Sequence, residues 1–253
     1  REGKVRIEDE YEQVFFINTA LEEILDNYKD YEVHQNYINS GSDADVKPII
    51  YIYNNTDNKN IQLSLTLDNV ADKNSLVLYP IADKYTDIDT DSINLVWNIT
   101  TNEDNTITAS DNKEYSYIFW EANRNRIVDW NNTKGFCAKG EDTLEFLQST
   151  LSEIGLTPKE YNEMIVYWLP LMKDNKYNLI TFAGLDKNDD YYNTTKIELS
   201  NENEELDFNE LRVFMITQPS DNYVNLEPQE FETFNRNDNI ITVVEWGGTQ
   251  INR

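Results

Sequence analysis

The feature that most limits the fold of this chain is a strict alternation of apolar and polar residues in the segment IQLSLTLD, residues 61–68. Successive side chains of a β-strand point to opposite faces of the sheet. The apolar positions therefore share one face, and the polar positions share the other: Ile61, Leu63, Leu65 and Leu67 against Gln62, Ser64 and Thr66. This pattern predicts an antiparallel strand with one buried and one solvated side.

Similar short segments recur along the chain and predict further strands. Residues 48–53, PIIYIY, are apolar on both faces and are typical of a central strand. Other strands are expected at residues 76–79, 93–98, 106–109, 114–121, 177–182, 195–199, 211–217, 230–234 and 240–246. About ten short strands separated by turn signals indicate two packed sheets. We therefore expect a mainly β protein with an antiparallel, β-sandwich-like body.

A helical hairpin is predicted to interrupt this β pattern at residues 141–172. Its first helix has an apolar stripe formed by Leu144, Leu147, Leu151 and Ile154. Gly155 follows this stripe at the position of a left-handed cap. The second helix opens with the capping-box signature TPKE, in which Thr157 is the N-cap and Glu160 lies three residues later. Pro170 is expected to end or kink this helix.

The N-terminal part predicts a separate amphipathic helix at residues 9–31, where apolar residues recur every three or four positions: Val14, Ile17, Leu21, Ile24 and Tyr28. About two heptads are too few for a free coiled coil, so this stripe needs the main body or a second copy as its partner. Residues 39–45 are typical of a linker. We expect two parts, the helix and linker at 1–46 and the β-rich domain at 47–253.

Charge excludes several classes of partner. The 253 residues carry a formal net charge of −26, which repels nucleic-acid phosphates and anionic lipid surfaces. The longest apolar runs fall far short of the roughly 20 residues that span a bilayer, so no membrane insertion is expected. The single cysteine, Cys137, can form neither an intrachain disulfide nor a two-cysteine metal knuckle. The sequence starts at Arg1 without an apolar leader, so we expect any targeting signal to be removed or to lie upstream.

Seven motifs resemble, in order, those of a family of secreted proteins from anaerobic, mostly gut, bacteria: KPIIYIY, EYSYIFWEA, GFCAKGEDTLEFL, GLTPKEYNEMIVYWLP, YNLITF, RVFM and VVEWGGT. The resemblance extends from about residue 47 to residue 249. It implies an extracellular or cell-surface location. The resemblance does not indicate which activity the chain has, and it identifies no catalytic residues.

Two glutamates that each adjoin a tryptophan in an apolar strand are the candidate catalytic residues, Glu121 after Trp120 and Glu245 before Trp246. Two carboxyl groups alone can cleave a glycosidic bond. A histidine-dependent triad would have to use His34, because the chain has no other histidine. The same strand positions also suit structural carboxylates that bind loop amides or an arginine, and we favour that interpretation.

Calcium is the one cofactor that the sequence suggests. Two acidic stretches place oxygen-bearing side chains at alternate positions: Asp87, Asp89 and Asp91 in the first, and Asp186, Asn188 and Asp190 in the second. Converging carboxylate and amide oxygens are typical calcium ligands. Neither stretch has the glycine and glutamate of an EF-hand loop, so a solvated acidic turn is the alternative for each.

Exposed aromatic and amide groups are the candidate binding residues. Trp97, Trp120, Trp168 and Trp246 lie in apolar segments and are expected to be buried, whereas Trp130 lies in a polar loop beside Asn131 and Asn132. Trp130 either contacts a partner or covers the base of the helical hairpin. Four glycosylation sequons are expected at the surface: Asn54, Asn98, Asn131 and Asn193.

These observations favour a non-catalytic extracellular or cell-surface module that acts in adhesion or assembly through protein or glycan contact. Two alternatives remain at this point. The first is a carboxylate-dependent hydrolase that acts on carbohydrate, and the second is a structural assembly protein. An acid pair that faces an open cleft would favour the hydrolase.

Overall fold

A computed structural model describes residues 44–125, 134–202 and 204–251, all of which belong to the compact unit Ser42–Arg253. The predicted helix at residues 9–31 and its linker up to residue 43 lie outside the described residues. The proposed boundary at residues 46 and 47 therefore stays a prediction.

The described chain forms two seven-stranded sheets, which confirms the predicted mainly β architecture. We call the first the central sheet, in the order β3-β8-β1-β14-β13-β10-β9. Its strands are β1 (Ala44–Tyr53), β3 (Val77–Tyr79), β8 (Ile118–Asn123), β9 (Phe136–Lys139), β10 (Tyr177–Ala183), β13 (Phe208–Ser220) and β14 (Ile241–Gln250).

The second sheet, called the outer sheet, has the order β12-β11-β2-β5-β6-β7, and β4 also pairs with β5. Its strands are β2 (Asn60–Leu67), β4 (Lys84–Asp87), β5 (Ile93–Thr101), β6 (Ile107–Ala109), β7 (Glu114–Tyr115), β11 (Thr195–Asn201) and β12 (Glu204–Glu205). Every ladder between the described strands is antiparallel except the one between β13 and β14, which is parallel.

The alternation in β2 produces the predicted two-faced strand. Its apolar residues are 3% exposed or less and face the core between the sheets, whereas the polar residues line the outer surface. On that surface, Asn94 of β5 donates hydrogen bonds to the hydroxyls of Ser64 and Thr66 at 2.7 and 2.9 Å. The outer sheet thus satisfies its polar side chains by cross-strand bonds.

The described part of the chain also contains three α-helices: α1 (Thr143–Ile154), α2 (Pro158–Met172) and α3 (Asp190–Thr194). The hairpin of α1 and α2 covers the face of the central sheet that points away from the outer sheet, and a second core fills the space between them. The unit Ser42–Arg253 therefore has three layers in its described part. The four tryptophans expected to be buried are each 1% exposed or less: Trp97, Trp120, Trp168 and Trp246.

The turn between α1 and α2 matches its sequence signals. Gly155 has a φ of 117°, and an added Cβ there would lie 2.8 Å from the Cβ of Phe234. The backbone N–H of Thr157 donates to Oε2 of Glu160 at 2.7 Å, as in a capping box. Pro170 was expected to end or kink α2. An end at Pro170 is wrong, because the helix continues to Met172, and the kink stays a prediction. Pro170 and Val166 are both exposed, so water can reach the carbonyl that loses its N–H partner.

Two strand predictions are corrected by the structure. The expected strand 114–121 is divided, because β7 pairs in the outer sheet and β8 in the central sheet. Residues 116–117 carry the chain from one sheet to the other. Residues 230–234 form no strand. The short strands β4, β9 and β12 were not predicted, since they lack clear apolar alternation.

An irregular segment, residues 221–240, connects the parallel neighbours β13 and β14, and we call it the crossover strap. Parallel neighbours need such a long connection because the chain must return to the same end of the sheet. The strap is fixed to the helical hairpin: Phe234 N–H donates to the Ile154 carbonyl at 3.0 Å, and Arg236 donates to Glu160 Oε2 at 2.7 Å. Among the described residues, no helix is long and apolar enough to cross a bilayer.

Candidate functional site

Glu245 lies in the interior between the two sheets and is 0% exposed. Its Oε2 accepts hydrogen bonds from Nε and Nη2 of Arg212 at 2.8 and 2.6 Å, and its Oε1 accepts from the indole N–H of Trp120 at 3.1 Å. Burial opposes the charge of Arg212, but the Glu245 carboxylate outweighs it and raises the arginine pKa. Glu245 therefore holds β8, β13 and β14 together through charge-assisted bonds.

The same polar group extends to the outer sheet. Arg212 donates to the carbonyl of Thr195, the first residue of β11. Arg124 donates to the Thr195 hydroxyl at 2.6 Å and to the carbonyls of Thr194 and Asp68 at 2.7 and 2.9 Å. Two buried arginines thus connect one end of the outer sheet to the central sheet.

Glu121 lies on the opposite face of the central sheet from Glu245. Neighbouring strand positions alternate between faces, and Phe119 packs in the core beneath the helices whereas Trp120 packs between the sheets. Glu121 is half-buried and accepts a hydrogen bond from the backbone N–H of Lys47 at 3.3 Å. Since the sheet itself separates the two carboxyls, Glu121 and Glu245 do not face a common cleft.

The two candidate calcium stretches are held by local hydrogen bonds. Lys73 donates to Oδ1 of Asp87 at 2.9 Å and to the carbonyl of Asp89 at 2.6 Å, and Asp89 accepts from the backbone of Asp91. In the second stretch, Asp186 accepts from the backbone and side chain of Asn188, both at 2.9 Å. No group of three or more histidine, cysteine or acidic side chains in the described part of the chain is placed to hold a metal. The calcium hypothesis for both acidic stretches, including Asp190 in the second, stays a prediction.

The expected binding residues Trp130, Asn131 and Asn132 lie outside the described residues, as does the sequon at Asn131. The sequon residues Asn98 and Asn193 are exposed. Asn54 is not the surface acceptor for a glycan that the sequon predicts. Its side chain is buried, with the residue 5% exposed, and its amide nitrogen donates to the Asn58 carbonyl at 2.7 Å. A glycan at that nitrogen would break a buried bond.

An open cleft of about 1110 Å³ lies at one side of the central sheet. One wall is the loop and short helix at residues 184–192, the other is the strap at residues 227–235, and β13 forms the floor at residues 209–212. We call it the acidic cleft. Among the described residues, seven carboxyls and three cationic side chains line it: Asp186, Asp189, Asp190, Glu210, Glu227, Glu230 and Glu232 against Lys134, Lys187 and Arg212.

The first wall of the acidic cleft is shaped by Asp189, the N-cap of α3. Its carboxylate accepts from the backbone N–H of Tyr192 at 2.7 Å and from that of Gly184 at 2.5 Å. Gly184 has a φ of 84° and an added Cβ would lie 2.9 Å from the Arg212 carbonyl, so this turn favours glycine. These contacts place the ring of Tyr192 over the floor of the cleft.

The Tyr192 hydroxyl donates to Oε1 of Glu210 on the floor. Burial, together with this hydrogen bond, raises the pKa of Tyr192 to about 12. The phenol therefore stays protonated at neutral pH and remains a donor. The guanidinium of Arg212 lies 5.3 Å from the Tyr192 ring on one side, and Lys187 Nζ lies 5.9 Å from the same ring.

The second wall is held in place by Gln229, whose side-chain amide makes the two hydrogen bonds to Phe182 that a neighbouring strand would make. Its Oε1 accepts from the Phe182 N–H at 2.8 Å, and its Nε2 donates to the Phe182 carbonyl at 3.0 Å. Phe231 packs beside it, with its ring centroid 5.9 Å from that of Phe182. The strap thereby forms a fixed wall instead of an independent loop.

Replacing Gln229 with alanine is expected to lower the free energy of unfolding by about 1–2 kcal/mol, because two hydrogen bonds to partly buried backbone groups are lost. Urea denaturation followed by circular dichroism measures this change. Gln62→Ala is the matched control, since Gln62 bonds Asn98 on the exposed face of the outer sheet. That control is expected to change stability by less than about 0.5 kcal/mol. Equal losses in the two variants would contradict the role of Gln229.

Comparison with known proteins finds a likeness without an assigned activity. An uncharacterized protein in the bglA 3′ region of Butyrivibrio fibrisolvens is 37% identical over 78 residues. This match covers 30% of the present chain and 66% of that relative's length. No family model matches the chain, and no solved structure matches it. The resemblance to a secreted bacterial family stays a prediction.

The acidic cleft was not predicted from the sequence. Most of its residues come from three segments, the loop and short helix before β11, the start of β13 and the strap, and others come from the end of β10 and from Lys134. The sequence does not show that these segments meet. The pair Tyr191 and Tyr192 directly after Asp189 and Asp190 is the one local signal, because aromatic residues beside acids at a short helix are unusual in a solvated turn. Nothing in the sequence connects that pair to Glu210 or Gln229.

Proposed function

We propose that this chain is a non-catalytic extracellular contact module, used in adhesion or assembly, that binds a partner in the acidic cleft. The cleft itself carries the proposal. Its volume of about 1110 Å³ is slightly larger than the roughly 300–1,000 Å³ of typical ligand sites, and such sites combine aromatic surface with a few placed polar groups. The extracellular setting is supported by the motif resemblance.

The lining of the cleft supports binding by contact. Tyr192, Phe231 and Phe234 are half-buried, so each presents part of a ring to the cleft while the rest is packed. Aromatic surface of this kind stacks on sugar rings or on the side chains of a partner protein. The carboxyls and the amide of Asn235 add hydrogen-bonding groups around these rings.

The hydrolase alternative would use acids of the cleft, because Glu121 and Glu245 lie on opposite faces of the central sheet. Glu210 is the acid on the floor, and its carboxylate already accepts from Tyr192. A second acid within about 10 Å of it would be required for glycoside hydrolysis. Release of reducing ends from a bound oligosaccharide would favour this alternative over a contact module.

The test is a binding screen with defined probes and a variant that fills the cleft. We expect the protein to bind at least one of two probe sets, neutral hexasaccharides of glucose, xylose or mannose, or lysine-rich and glutamate-rich decapeptides. Thr233→Trp places an indole in the cleft and is expected to weaken that binding at least about tenfold, the equivalent of 1.4 kcal/mol. Isothermal calorimetry measures both affinities.

Thr100→Trp is the matched control, because Thr100 is exposed on the outer sheet, away from the cleft. It is expected to leave the affinity within a factor of two. Hydrogen exchange with the probe bound should show protection at residues 184–192 and 227–235. Absence of binding to every probe, or protection confined to another surface, would contradict the proposed function.

A further inference from the structure

The acidic cleft has a strong preference for the charge of its occupant. Its described lining has an excess of four negative charges, and its three cationic groups already have partners of their own. Arg212 is paired with the buried Glu245 at 2.6 Å, and Lys134 Nζ lies 3.3 Å from Glu227. The field in the cleft is therefore negative, as is the field of the whole chain at −26.

A cation already lies beside an aromatic ring and a carboxylate in this cleft. Lys187 Nζ lies 3.8 Å from Oε1 of Glu210 and 5.9 Å from the ring centroid of Tyr192. Those distances are within the range of an ion pair and a cation–π contact. Glu210 is only 14% exposed, and its hydrogen bond from Tyr192 fixes the orientation of both groups. The ring and the carboxylate thus form a rigid site for a positive group.

Lys187 itself is only loosely held. Its side chain is 76% exposed, and 3.8 Å is longer than a direct hydrogen bond. Water screens the exposed lysine and weakens its attraction to Glu210. A cationic side chain that arrives with other contacts can therefore displace Lys187 at little cost.

We propose that the partner is a basic protein segment whose lysine or arginine side chain takes the place of Lys187 beside Tyr192 and Glu210. This proposal rests on the proposed function of the cleft and specifies its occupant. Neutral glycans gain nothing from the excess charge, and anionic glycans are repelled by it. A cationic peptide gains from the carboxylates, from the ring and from long-range attraction.

Opposite effects of two cleft variants test the proposal. The probe is a fluorescein-labelled decapeptide of alternating lysine and glycine, and its dissociation constant is measured by fluorescence anisotropy at 0.05 and 0.15 M salt. Lys187→Ala is expected to tighten binding about threefold to tenfold, since it removes the competing cation. Glu210→Gln is expected to weaken binding at least about tenfold, since it removes the carboxylate and keeps the shape.

Two exposed residues outside the cleft give charge-matched controls, Lys84→Ala and Glu103→Gln. Each is expected to change the affinity less than twofold, which separates the cleft from general attraction to an acidic protein. Tyr192→Leu tests the ring independently of Glu210, and a thermal melt of every variant establishes that it is folded. Loss of affinity in Tyr192→Leu supports the site.

Two results would overturn the proposal. Glu210→Gln and Glu103→Gln could weaken binding equally, which would assign the attraction to net charge alone. Alternatively, a neutral hexasaccharide could bind and protect the cleft while the lysine peptide does not, in which case the proposed function stands and its basic partner is rejected. If no probe binds in the cleft, both the proposed function and the proposed basic partner are rejected.

Discussion

Glu245→Gln is expected to lower the free energy of unfolding by about 3–5 kcal/mol, the usual cost of removing one partner of a buried ion pair. Arg212 is 2% exposed and would keep its charge in the interior without a counter-charge. The neutral amide can replace only part of the two hydrogen bonds that Arg212 now donates to Oε2. Guanidinium denaturation measures the loss.

A double variant separates the charge effect from packing. Arg212→Met with Glu245→Leu removes both charges and keeps side chains of similar size, so it is expected to recover most of the lost stability. Glu103→Gln is the control for removal of an exposed carboxylate and should cost less than about 0.5 kcal/mol. A loss below about 1 kcal/mol in Glu245→Gln would show that Arg212 is not held by this carboxylate.

Trp168→Ala is the second substitution with a large expected effect, about 3–5 kcal/mol of destabilisation. Trp168 is 1% exposed and lies where α2 crosses the central sheet. An added Cβ at Gly248 would lie 2.6 Å from Cζ2 of its indole, which shows how closely the helix approaches β14. Its indole nitrogen has no hydrogen-bond partner among the described residues, so packing is its contribution.

Val166→Ala is the matched control for this prediction, because Val166 lies on the same helix and is 74% exposed. The two substitutions change the same backbone element and differ in burial. Val166→Ala is expected to change stability by less than about 0.5 kcal/mol in the same thermal and denaturant melts. A similar cost for both variants would mean that helix propensity, and not the core beneath α2, determines the loss.

The elements that the sequence predicts are those whose signal is local. The alternation in β2 decides its two faces, and the glycine at 155 and the acid at 160 define the turn and start of α2 without help from the rest of the chain. The strand expected at 230–234 fails for the opposite reason. Its apolar residues Phe231 and Phe234 pack the strap on the sheet and hairpin, and only the β-propensity of aromatic residues resembles a strand there.

The candidate site depends on contacts that no local pattern encodes. Glu245 is conspicuous in an apolar strand, but its partner Arg212 becomes visible only when β13 pairs with β14 in register. Likewise, Glu210 and Tyr192 meet because the short helix α3, directly before β11 of the outer sheet, lies beside the start of β13 in the central sheet. Strand pairing fixes these neighbours, and single-sequence patterns carry no information about it.

The central position of β14 has a consequence for biosynthesis. This strand lies between β1 and β13 and pairs with both, so the sheet is interrupted at its middle until residues 241–250 are present. A nascent chain that has reached the strap therefore exposes two unpaired strand edges, which are templates for aggregation. Pairing of β1 with β14 also closes a loop of nearly the whole domain, and such non-local contacts slow folding. We expect this domain to fold only once residues 241–250 have emerged from the ribosome, and we expect chaperones that protect open sheets to be needed until then.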